Sequence, residues 1–169
     1  MFGDPVRSKT IAFSAAFIGL IAAGSWISIP FFPVPFTLQT LFVLLAGAVM
    51  KRYAVVPVAL YVMMGAAGLP VFHNGVAGLG VLLGPTGGYL AGFIVAAFIA
   101  GVSFESSSRP VQVAGLAAAT LVIYAMGIAW LMYSAGIGLL PALAAGVVPF
   151  IPGDIIKAGA AYGIARRLP

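Results

Sequence analysis

Apolar runs of roughly membrane-span length alternate along this chain with short breaks rich in proline, glycine or charge. The pattern predicts a helix from about Lys9 to Ser28, two shorter ones at about Leu38–Met50 and Ala54–Gly68, and then a glycine-rich connector over residues 71–84. Further helices are expected at about Thr86–Ser103, Val111–Ser134 and Ala142–Arg166, the last kinked at Pro149 and Pro152. At about 20 residues per span, 169 residues hold about six spans with short loops and no soluble domain of useful size. The expected fold is an all-α integral membrane protein, one transmembrane domain over residues 1–169. Arg7 and Lys9 ahead of an apolar run resemble the start of a signal peptide. The run from Thr10 to about Ile29 exceeds the usual h-region of about 7–15 residues, so it reads as an uncleaved first helix.

Composition agrees and removes several classes. Hydrophobic residues make up 63% and charged residues 7%, against about 25% charged in a soluble domain. With no cysteine and a single histidine, His73, the chain offers no disulfide, no thiolate site and no multi-histidine metal centre. Neither a metal nor a cofactor is expected. The net charge of +5 raises the question of nucleic acid, but the basic residues stand singly or in pairs at expected helix ends. That distribution marks topology instead. Arg7 and Lys9, Lys51 and Arg52, Arg109, and Arg166 and Arg167 all fall on one side of a six-span arrangement, and the three opposite loops hold no Lys or Arg. The positive-inside rule then places both termini in the cytoplasm, with the protein multi-pass in the cell membrane.

Against this apolar background two charges stand out. Asp154 and Lys157 lie inside the last expected span, where a charge costs about 2.5–3.5 kcal/mol on insertion scales. Their i, i+3 spacing puts them on one helix face. Pro149, Pro152 and Gly153 break the backbone ladder just upstream, an arrangement tolerated at depth only where the freed groups are re-satisfied or line a cavity. Asp154 precedes Arg166 by twelve residues, about 18 Å of helix, which sets the pair near the midplane or slightly outside it. Two readings stand open: a ligand site, or an ion pair that only hides two polar side chains from lipid.

The outer loops supply possible neighbours. Pro30, Pro33 and Pro35 forbid a continuous helix over Ile29–Thr40, yet this connector carries Phe31, Phe32 and Phe36 and no charge. A proline-stiffened apolar loop suits a lid over a pocket, formed by Phe31, Phe32, Pro33 and Pro35, and equally an interfacial anchor. Thr37, Gln39 and Thr40 at its end offer neutral hydrogen-bonding groups or a helix cap. His73 and Asn74 sit in the next outer loop. Tyr89 follows Gly84-Pro-Thr-Gly-Gly, a run that lacks the Lys-Ser/Thr of a phosphate loop. Tyr89 lines the pocket or anchors at the interface. In the first helix, Ala12 and Ala16, and Ala15, Gly19 and Ala23, have small-xxx-small spacing, which serves packing within the bundle or docking of another membrane subunit.

Four segments, in order, resemble a known family: Pro33-Val-Pro-Phe-Thr-Leu-Gln-Thr-Leu-Phe-Val-Leu-Leu-Ala-Gly47, Gly68-Leu-Pro-Val-Phe72, Gly80-Val-Leu-Leu-Gly-Pro-Thr-Gly-Gly-Tyr-Leu-Ala-Gly-Phe93 and Pro152-Gly-Asp-Ile-Ile-Lys157. They are similar to BioY, the biotin-specific substrate-binding (S) component of energy-coupling factor (ECF) transporters, over about residues 10–166. The resemblance implies a six-helix S-component fold, an outward vitamin pocket under the first loop, and high-affinity biotin binding by a subunit that is not an enzyme. It implies partners: a transmembrane coupling (T) subunit docked on Ala12 and Ala16, and two cytoplasmic ATPases. Substrate-binding residues would be Asp154, Lys157, Tyr89, Asn74, Gln39 and Thr37. Where the family often runs glycines after Pro-Val-Phe, this chain has His73-Asn-Gly-Val-Ala-Gly78. Biotin suits those side chains: its ureido N–H groups match the Asp154 carboxylate, and its carbonyl or carboxylate matches Lys157. Other vitamins, or a purely structural subunit, remain the alternatives.

Overall fold

The computed structural model describes residues 5–168, with side chains from residue 8 onward, so the Arg7 side chain counted above lies outside the described residues. Six helical passes are arranged as a bundle. Helix α1 spans Pro5–Trp26, α2 Gln39–Met50, α3 Val55–Ala66, α5 Gly87–Ser103 and α6 Arg109–Ala135; a short α4, Leu79–Leu83, lies in the connector before α5. The last expected helix is two, α7 (Leu139–Gly146) and α8 (Ile151–Ala165), with a 52° bend between them.

Length alone would count fewer crossings, because Gln39–Ala66 is one apolar run of 28 residues. That run is not straight. Gln39 Nε2 donates to the Tyr61 hydroxyl at 2.6 Å, whereas 22 residues of continuous helix would hold them about 33 Å apart. The chain reverses at a 3-10 turn, Lys51–Ala54, where Lys51 takes a positive φ of 57°. The other ends alternate in the same way. Leu38 N–H bonds Gly24 O, Gly101 packs on the Lys51 backbone, and Phe104 meets Tyr162 at 6.2 Å between ring centroids. Lys51, Arg52, Arg109 and Arg166 therefore share one end of the bundle.

The core seam is built from small residues. Gly88, Gly92, Ala96 and Ala100 repeat every fourth position along α5 and are all buried. A Cβ on Gly88 would strike Trp130 and the Met126 backbone of α6, and one on Gly92 would press on the Ile123 Cα. This absence of side chains lets two helix backbones touch. Val43, Leu44, Val58, Tyr61, Phe72, Ile123 and Leu131 fill the remaining interior. Helix α6 begins after Ser108 with Pro110 in its first turn and ends at Gly136, whose φ of 63° provides a left-handed C-terminal cap.

The small-residue face of α1 is not part of this packing. Phe17, Ile21 and Ser25 turn inward, while Ala12, Ala15, Ala16, Gly19 and Ala23 are exposed on the bundle surface. Between α1 and α2, the connector doubles back as a two-stranded ribbon, β1 (Ser28–Ile29) with β2 (Phe36–Thr37), Ser28 opposite Thr37 and Ile29 opposite Phe36. Ribbon pairing ends α1 at Trp26, two residues earlier than the apolar pattern predicts.

Candidate functional site

Asp154 stands in the first turn of helix α8. Pro152 occupies the opening turn, where its missing N–H costs nothing, and the Asp154 N–H closes on Phe150 O at 2.8 Å. A carboxylate there sits at the positive end of the helix dipole. It also has two direct donors: Lys157 Nζ reaches Oδ1 at 2.8 Å and the Tyr124 hydroxyl reaches Oδ2 at 2.6 Å. Asp154 and Lys157 are each only 5% exposed, so the pair is removed from water and lipid alike.

Lys157 ties the loop between α1 and α2 to this pair. Its ammonium donates to Thr37 O at 2.6 Å and lies 3.6 Å from the centroid of the Phe36 ring. A desolvated cation over an aromatic face contributes about 2 kcal/mol. Phe36 in turn stacks on Phe150 at 5.9 Å, and Phe31 meets Phe150 edge-on at 6.2 Å. A Cβ on Gly153 would overlap the Phe36 ring, so the glycine gives that ring its seat on α8. The roof of the site is thus Phe36, Phe31 and Phe150. Phe32, expected in the lid, is 95% exposed and points away; Pro33 and Pro35 are half-buried, and Pro35 lines the cavity.

Beneath this roof is a small cavity of about 60 Å³, bordered by Val34, Pro35, Thr37, Thr40, His73, Thr86, Tyr89, Ile123, Tyr124, Asp154 and Lys157 among others. Tyr89 is held by its hydroxyl, which donates to Gly146 O at 2.9 Å, and by the bare backbone of Gly127 against its ring. Gln39 does not border the cavity. It accepts from Thr37 Oγ1 at 2.9 Å and donates to Tyr61, whose hydroxyl donates to Val71 O at 2.8 Å; Ser25 of α1 donates to the same carbonyl at 2.8 Å. The α1–α2 loop and the segment after α3 are therefore fastened to one polar chain that starts at Lys157. Asn74 is exposed in a turn with φ 54°, a left-handed backbone that asparagine tolerates well, and His73 beside it borders the cavity. Burial pushes the His73 pKa down, so its ring is neutral at pH 7.

On the other side of Tyr124 and Asp154, between α6 and α8, lies a cleft of about 570 Å³ lined almost wholly by apolar side chains such as Leu116, Leu121, Val147 and Ile155. The residues that the sequence pattern overlooked are Tyr124, Tyr61, Phe36 as a cation seat, and Phe150. A tyrosine in mid-helix among apolar residues was the available signal for the two hydroxyls. No spacing rule joins positions thirty residues apart.

The sequence profile of the BioY family matches residues 3–169. The chain belongs to the BioY family. Among relatives, it is 47% identical over 154 residues to the biotin transporter BioY of Thermotoga maritima, covering 90% of each chain. It is 40% identical over 164 residues to the probable biotin transporter BioY of Pyrococcus horikoshii, covering 96% of this chain and 98% of that one. Its fold is similar, with a TM-score of 0.88 and 29% identity, to a crystal structure of the S-component for biotin from an ECF-type ABC transporter, covering 99% and 94% of the two chains. BioY membership and the S-component fold agree with the expectation drawn from the four motifs, and they place the chain among multi-pass membrane proteins.

Proposed function

We propose that this BioY chain is the biotin-binding subunit of an uptake system in the cell membrane. The observation that carries the reading is the buried Asp154–Lys157 pair under an aromatic roof, in a chain whose relatives are biotin transporters. Biotin presents two ureido N–H donors, one ureido carbonyl and an apolar bicycle. Asp154 accepts from one ureido N–H, Lys157 donates to the carbonyl, and Phe36, Phe150 and Tyr89 enclose the ring. Thr37 and Gln39 act by holding the loop strand against Lys157. Asn74 and His73 lie on the outer loop beside the entrance, the side toward which the carboxylate tail would point.

A cavity of about 60 Å³ is far smaller than the roughly 300–1,000 Å³ of small-molecule sites. Entry therefore requires the 27–38 loop to lift, breaking the Lys157–Phe36 and Phe36–Phe150 contacts. The lid is Phe31, Phe36 and the Pro33–Pro35 segment. Positive charges at one end of the bundle orient that end, with both termini, toward the cytoplasm. Ala12 and Ala16, exposed and small, form the docking face for a transmembrane coupling subunit, itself driven by two ATPases. The test is uptake of labelled biotin in cells lacking their own transporter. Accumulation is expected with this chain plus the energising subunits, and Asp154→Asn is expected to abolish it. Equal uptake by that variant would overturn the assignment.

A further inference from the structure

We infer that the apolar cleft between α6 and α8 seats one acyl chain of an anionic phospholipid, whose phosphate is held by Arg109 and Arg166. The inference goes beyond the biotin reading and does not depend on which ligand the polar cavity takes. At about 570 Å³ the cleft is within the roughly 300–1,000 Å³ of small-molecule sites, yet its walls offer almost no polar partner. The Thr120 hydroxyl is already donated to Leu116 O at 3.0 Å, and at the inner end the Tyr124 hydroxyl is donated to Asp154 Oδ2 at 2.6 Å. The cleft therefore suits an apolar occupant.

Length and charge identify that occupant. The walls run from Tyr124 to Val113 on α6 and from Ile151 to Tyr162 on α8, in each case about 16 Å of helix. That is about half of a hydrocarbon core of about 30 Å, the depth of a single leaflet. The helical period then carries both walls to a cation at the same end of the bundle: Arg109 is i, i+4 from Val113, and Arg166 is i, i+4 from Tyr162. Both arginines are exposed and unpaired. Among the described residues, the one carboxylate at that end, Glu105, is taken up by Arg52. An acyl chain between the walls, with its phosphate at the two free arginines, fills the cleft and neutralises its mouth, while the second chain stays in the bilayer. In the orientation proposed above this is the cytoplasmic leaflet, whose anionic lipids attract basic groups. The methyl end of the chain lies against the far side of the Tyr124–Asp154 bond and closes the back of the polar pair to water.

The test titrates dioleoyl phosphatidylglycerol or dioleoyl phosphatidylcholine into the delipidated, detergent-purified protein and counts bound lipids by native mass spectrometry. The wild-type chain is expected to hold one phosphatidylglycerol about tenfold more tightly than phosphatidylcholine. Arg109→Gln/Arg166→Gln is expected to abolish that preference and to keep the weaker binding of both lipids. Gly159 borders the cleft where an added Cβ meets nothing within 4 Å, so Gly159→Leu extends into open space and is expected to lose the tight lipid. Equal affinity of the wild-type chain for the two lipids, or a preference that survives the double arginine variant, would overturn the proposal. Tight binding kept by a folded Gly159→Leu protein would place the lipid elsewhere and overturn it too. A wild-type dimer that Gly159→Leu dissociates would assign the cleft to a second copy instead. Biotin titrated into the same samples reads the polar cavity separately, so failure of either reading leaves the other standing.

Discussion

Replacing Lys157 with methionine separates the electrostatic role of the pair from its volume. The substitution keeps most of the side-chain bulk and removes the ammonium that contacts Asp154 Oδ1, Thr37 O and the Phe36 face. Asp154, 5% exposed, is left with the Tyr124 hydroxyl alone. Removing one partner of a buried pair costs about 3–5 kcal/mol, because an uncompensated charge remains. For a chain of this size, at about 2–4 °C per kcal/mol, the melting temperature should fall by about 6–20 °C. The double variant Asp154→Asn/Lys157→Met leaves no charge, and the new amide oxygen still accepts from Tyr124, so most of the loss should be recovered. Thermal unfolding in one detergent, followed by tryptophan fluorescence, reads both. If the single and double variants melt equally low, the loss comes from packing and the charge argument fails. A Lys157→Met protein that melts with the wild type would mean that the two residues are not an ion pair.

Three other outcomes follow from the geometry. Gly127→Ala should push the Tyr89 ring off its seat and break its bond to Gly146 O, costing about 1–3 kcal/mol of stability and weakening biotin binding; unaltered binding would remove Tyr89 from the site. Ala16→Trp should leave biotin affinity unchanged and impair energised uptake, since that position is exposed on the bundle; a loss of affinity would place α1 inside the binding unit instead. The lowered His73 pKa means that the unfolded chain takes up this proton first as pH falls through about 6.5, so stability should decline on acidification by at most about 1.4 kcal/mol per pH unit, and His73→Gln should flatten that decline. Identical pH slopes for the two proteins would refute it.

Much of this molecule can be read from one dimension because lipid constrains it so tightly. Charges inside an apolar span are expensive, so Asp154 and Lys157 declared themselves, and their i, i+3 spacing gave their contact directly. Helix passes follow from apolar runs, and the boundaries at α2, α5 and α6 differ from the pattern by a residue or two. The misses have common physical causes. Helix α4 hides in a glycine-rich connector because its five residues are too few to show a helical period. Pro149 and Pro152 predicted a kink, but whether a kinked helix bends or separates into two depends on the local hydrogen bonds, and here the chain breaks between Gly146 and Ile151. Tyr124 and Tyr61 are polar only at one tip, so an apolar pattern passes over them. Phe32 and Phe36 look alike in sequence; Phe36 is paired in the ribbon and lies over Lys157, whereas Phe32 lies in the turn between the strands and is exposed. Asn74 carries a second signal, a left-handed turn that asparagine tolerates well, which a reading for ligand groups passes over.

The most direct measurement is calorimetric titration of biotin into the purified chain, with Asp154→Asn titrated alongside. The amide loses a charge-assisted acceptor worth about 1.5–3 kcal/mol, equivalent to about a 10- to 150-fold rise in Kd. Saturable one-to-one binding by the wild-type chain, weakened by at least that factor in a folded Asp154→Asn protein, is the expected result. Equal affinity in both proteins, or no binding by a folded wild-type chain, would contradict a biotin site built on the Asp154–Lys157 pair.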